Sequence, residues 1–78
     1  MLRKQRSWIL TFDETVDAMA WERYCETHGL PGRLIPVPRE ITAGCGLAWK
    51  APPEAEAALL AALGESKISH AAARILEV

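Results

Sequence analysis

Long apolar runs, blocks of like charge and metal-ligand spacings are all missing from these 78 residues. No apolar stretch approaches the ~18 residues of a membrane span. No hydrophobic segment follows the basic start Arg3-Lys4-Gln5-Arg6 as an export signal requires. The expectation is a soluble, cytoplasmic protein with no membrane partner. That basic cluster is the largest of one sign and reads as a solvated chain end. With a net charge of −1, nucleic acid is not indicated as a partner either. Cysteine is scarce as well: Cys25 and Cys45 form no CxxC pair, and with only two histidines no zinc-ligand spacing arises. The sequence therefore calls for no metal and no cofactor, and a reducing compartment keeps both cysteines as thiols.

What is present fits one domain, residues 1–78, near the lower end of what folds on a single core. Trp8 to Phe12 alternates large side chains and predicts a strand, followed at Asp13-Glu14-Thr15 by a helix with acids in its first turn. That helix ends near His28, with Gly29 as its C-terminal stop. Its expected buried stripe is Ala18, Trp21 and Cys25, with Val16, Ala20 and Tyr24 as a weaker competing face. Arg33 to Val37 reads as a second strand, confined to a sheet edge by Pro36, which has no N–H to donate. Gly46 to Ala51 reads as a third. Pro53 opens a second helix over 54–63, with Ala55, Leu59, Leu60 and Leu63 as its apolar stripe and Gly64 as its stop. A polar loop, Glu65 to His70, leads to a last strand over 72–78.

The order βαββαβ with right-handed crossovers gives a ferredoxin-like α+β sandwich, a four-stranded antiparallel sheet with both helices on one face. Apolar residues on both sides of the first and third strands (Ile9 against Trp8 and Leu10, Ala48 against Leu47 and Trp49) leave an open face able to meet a partner, including a second copy of the chain. Trp8, Trp21 and Trp49 are read as core or sheet-face residues.

In that topology the end of the first strand, the start of the first helix, the turn between the second and third strands, the end of the second helix and the start of the last strand share one pole. Phe12, Asp13, Arg39, Thr42, Cys45, Lys67 and His70 gather there. Cys45 stands between Gly44 and Gly46, which leave a thiol sterically open. A helix N-terminus and the cations Arg39 and Lys67 favour its thiolate, while Asp13 and Glu14 oppose it. Arg39 is the candidate counter-charge, His70 a candidate base, and Gly44, Gly46 and Thr42 the candidate lining of the approach. Cys25, on the buried stripe, reads as a small core hydrophobe. The rise of the helix from its first turn to Cys25 is about 15–18 Å, so the two cysteines are not expected to pair.

The segment Ile35 to Ala48, IPVPREITAGCGLA, together with Ala18 to Glu22 as an Ala-x-x-x-Glu pair, resembles the small bacterial selenium/sulfur carrier-like proteins. Pro38-Arg39-Glu40 and Cys45-Gly46-Leu47 carry most of the likeness, which in length and element order covers nearly the whole chain. The resemblance implies a non-enzymatic relay whose cysteine, here Cys45, holds sulfur or selenium as a persulfide or perselenide, with donor and acceptor proteins as partners. The acidic first turn Asp13-Glu14-Thr15 departs from the hydroxyl-bearing turn expected of relatives. Two other classes compete with a carrier: a protein-interaction or regulatory module in which the 38–47 turn is only a contact loop, and a soft-metal chaperone, for which a second thiolate would have to come from another copy. A turnover enzyme is not indicated, since no base is paired with the thiol and a pocket of ~300 Å³ is hard to enclose in so short a chain.

Overall fold

The computed structural model describes residues 5–39, 41 and 45–77. Its elements are β1 (Arg6–Thr11), α1 (Thr15–His28), β2 (Arg33–Pro36), β3 (Leu47–Ala51), a 3₁₀ turn (Pro53–Ala55) running into α2 (Glu56–Ser66), and β4 (Ala72–Glu77). The strands pair antiparallel in the order β2-β3-β1-β4, the ferredoxin-like order anticipated from the alternation of elements. β2 lies at the margin, where Pro36 costs the ladder least.

Side-chain alternation divides the core in two. Trp8, Leu10, Phe12, Trp49 and Ala51 face the helices and meet Ala18, Trp21 and Cys25 of α1 and Leu59, Ala62 and Leu63 of α2. On the other face Ile9, Ile41 and Ala48 form a smaller cluster with Ile35, Val37 and Leu76 around it. All three tryptophans are buried; Trp21 meets Trp49 edge-on at 6.3 Å. The α1 stripe is the expected one, because residues three and four apart share a helix face. Of the competing face, Val16 and Ala20 are exposed and Tyr24 is half-buried against the core. A close approach fixes the turn into β2: a Cβ at Gly32 would lie 2.3 Å from Trp49 Nε1, whose N–H donates to the Pro31 carbonyl at 3.2 Å.

The second helix departs from expectation at both ends. A 3₁₀ turn takes up Pro53–Ala55, so the α-helix starts at Glu56. At the other end the helix continues past Gly64 to Ser66, and Lys67 supplies the left-handed residue at φ 58°. Hydrogen bonds explain that extension. Lys67 N–H donates to the Leu63 carbonyl at 3.2 Å, Ser66 Oγ donates to the same carbonyl at 3.2 Å, and Ile68 N–H returns to Ser66 Oγ at 3.2 Å. The stripe also shifts: Leu59, Ala62 and Leu63 are buried, Ala55 is half-buried, and Leu60 is exposed. The loop accordingly begins at Lys67 rather than Glu65. No helix of the described residues is long and apolar enough to cross a membrane.

Candidate functional site

Three main-chain hydrogen bonds assemble the pole to which Cys45 belongs. Cys45 N–H donates to the Phe12 carbonyl at 2.9 Å, tying the entry of β3 to the exit of β1 just before α1. Val37 N–H donates to the Gly46 carbonyl at 2.9 Å, closing the β2–β3 connection, and Ala71 N–H donates to the Thr11 carbonyl at 2.8 Å, bringing in the start of β4. Thr11 strengthens the last junction, since its hydroxyl accepts from Ala72 N–H at 3.2 Å. The convergence inferred from topology is therefore present for Phe12, Cys45 and the residues around His70.

Cys45 is half-buried and packs against the larger core on the helix side of the sheet. Its neighbour Gly46 is exposed at φ 92°, with nothing within 4 Å of where a Cβ would stand. Backbone conformation is thus what requires glycine at 46, because an L side chain is strained at that φ wherever space exists. The thiol emerges from a turn whose main chain is held at Phe12 and at Val37, which fixes the position of its backbone.

α1 opens at this pole without a side-chain cap. Glu14 occupies the N-cap position in extended conformation, and its carbonyl takes the first helical bonds, from Asp17 N–H at 3.1 Å and Ala18 N–H at 3.3 Å. The earlier N–H groups of the turn point out of the helix, where negative charge is favoured. Asp13, Glu14 and Asp17 place three carboxylates around them.

Arg39 is exposed in the β2–β3 connection, one residue after Pro38, whose carbonyl accepts from Ile41 N–H at 3.0 Å. His70 is exposed beside the start of β4, with Nδ1 3.5 Å from the Ile68 carbonyl. Lys67, also exposed, closes α2. Thr42 and Gly44 lie outside the described residues. Ile41 was not among the anticipated site residues. It is 8% exposed and covers Ile9 and Ala48 on the open sheet face, so the connection that carries Arg39 and Cys45 is anchored by an apolar side chain.

Cys25 is the counterpart thiol, fully buried on the α1 stripe, and burial pushes it up to about 12. Both cysteines are free. Among the described residues no group of three or more His, Cys, Asp or Glu side chains is placed to hold a metal ion.

The sequence model of the family described as "Putative Se/S carrier protein-like" matches residues 7–73. The chain belongs to that family, and the match spans every element from β1 into β4. No curated protein and no solved structure matches it.

Proposed function

We propose that the protein is a thiol-based carrier of sulfur or selenium, a relay between a donor and an acceptor protein rather than a turnover enzyme, with Cys45 as the loaded residue. The contrast between its two thiols supports this reading. Cys25 is sealed in the core, whereas Cys45 is half-exposed on a turn anchored through its own N–H to Phe12.

The transfer step is a thiol–persulfide exchange. The Cys45 thiolate, its proton given to solvent, attacks the outer sulfur of a donor persulfide. A new S–S bond forms at Cys45 as the donor's S–S bond breaks, and the donor cysteine leaves as a thiolate. One sulfur atom moves with no net change of oxidation state. An acceptor nucleophile repeats the exchange and returns Cys45 to a thiol. Perselenide transfer follows the same bookkeeping with selenium as the outer atom. Gly46 leaves the approach open on one side of the thiol, Arg39 on the adjoining turn supplies positive charge toward the outer anion, and His70, exposed beside the start of β4, is the candidate to take up a proton.

The test is incubation with a cysteine desulfurase and cysteine, followed by mass spectrometry under non-reducing conditions. Wild type gains sulfur on the peptide containing Cys45, and Cys45→Ser gains none. Loading of neither thiol would leave the family with an interaction or regulatory role for the 38–47 turn.

A further inference from the structure

The described strand residues on the sheet face away from the helices carry charge of one sign. Strand register aligns Arg33, Lys50, Ile9 and Arg74 in a single row across all four strands. Alternation from Ile9, Ile35, Ala48 and Leu76 puts the row on the face away from the helices. Among the described strand residues of that face three are cations and none is an acid. The described carboxylates sit on α1, on α2 and on the residues leading into them, apart from Glu77, which alternates with Leu76 toward the helix side.

Two further observations mark this row as built for an anion. Arg33 and Lys50 are directly opposite each other on neighbouring strands, an arrangement that opposes folding. A cleft of about 530 Å³ also opens beside them, walled by Arg6, Arg33 and Lys50 with Ser7, and with Glu54 as its one acid. Three cations drawn from three strands converge on one concavity that holds a single carboxylate.

We propose that the cleft walled by Arg6, Arg33 and Lys50 docks an acidic segment of a partner protein. Nucleic acid fits less well, because base stacking needs aromatic platforms and the aromatic residues of β1 and β3, Trp8 and Trp49, are turned to the helices. A second copy of the chain fits less well too, since its own cleft would bring three more cations against one acid. The row lies toward the opposite end of the strands from Cys45. Three strand steps from Leu47 to Lys50 at about 3.3 Å each put roughly 10 Å of β3 between Lys50 and the turn that carries Cys45, so a segment seated in the cleft lies away from the thiol. Nothing in this inference depends on the chemistry of Cys45.

The experiment is titration of fluorescein-labelled hexaglutamate with the full chain, followed by anisotropy at low ionic strength. Saturable binding is expected, weakening as salt is added, and Lys50→Glu and Arg33→Glu should each reduce affinity about tenfold or more. Arg23→Glu, exposed on α1, should bind as wild type does. Lys50→Glu should also melt no lower than wild type, because it replaces a repulsive cross-strand pair by an attractive one; if that variant does not fold, Lys50→Gln takes its place in the titration. Absence of hexaglutamate binding at low salt, equal binding by both reversed variants, or tighter binding of a labelled oligothymidylate of matched charge would each overturn the proposal. Sulfur loading is not read in this assay, so its outcome and that of the carrier test stand apart.

Discussion

At the scale of single residues the two thiols separate by burial. Iodoacetamide should modify Cys45 in the folded protein at least about tenfold faster than Cys25, which reacts only when α1 opens; peptide mapping over time gives both rates, and equal rates would contradict the assignment. Arg39→Ala should slow Cys45 modification at low salt and leave it unchanged at high salt, because an exposed charge is screened. Arg39→Lys should lie between. Cys25 makes a pH prediction. Its thiol is raised from 9.0 to about 12 in the fold. Below the lower value both folded and unfolded chains keep the proton. As pH climbs toward the higher one only the unfolded chain loses it, so stability falls by up to about 1.4 kcal/mol per pH unit. Urea melts of wild type and Cys25→Ala at about pH 8 and about pH 10.5 should show the steeper loss in wild type; parallel losses would mean that other groups govern the alkaline limb. The roles of Ala18, Trp21 and Cys25 were legible in the sequence because a period of three and four fixes a helix face. The setting of Cys45 was legible only in part: topology brings it to Phe12, but how far a turn residue sinks into the core depends on packing that spacing does not encode.

At the scale of elements, strong punctuation sets where elements end and weak punctuation does not. Gly29 ends α1 in the left-handed region at φ 66°, its N–H donating to Glu26 and that of Leu30 to Cys25. Pro36 confines β2 to the edge. Gly64 looked like the same kind of stop, but a helical glycine costs only about 1 kcal/mol relative to alanine, and the bonds at Leu63 and Ser66 carry the helix two residues further. The left-handed position then falls on Lys67, where a Cβ is disfavoured by about 1–2 kcal/mol. Lys67→Gly should therefore stabilise the fold, by about 0.5–1 kcal/mol once the added freedom of the unfolded chain is subtracted. A thermal melt decides, and a lower midpoint would show that the lysine side chain contributes more than its backbone strain removes.

At the scale of the whole molecule the sheet links two poles of different chemistry. One pole joins the exit of β1, the start of α1, the 37–46 connection and the start of β4 around Cys45; the other opens a cationic cleft at the start of β1 and the end of β3. The first pole follows from element order, which the sequence displays through its alternations and stops. The charge segregation does not, because Arg33, Lys50 and Arg74 are far apart in the chain and become neighbours only through strand register. Both features suit the proposed carrier, held at one surface while its thiol is reached from another.

The central claim, that Cys45 accepts and then gives up a chalcogen atom, is tested most directly by site-resolved mass spectrometry of the intact chain through one loading and one discharge. The chain is loaded by a desulfurase with cysteine, freed of donor, and treated with an acceptor thiol. The account predicts one added sulfur on Cys45 after loading, none on Cys25, and return of Cys45 to the free thiol on discharge. Sulfur found on Cys25, no sulfur on either cysteine, or an adduct on Cys45 that the acceptor does not remove would contradict it.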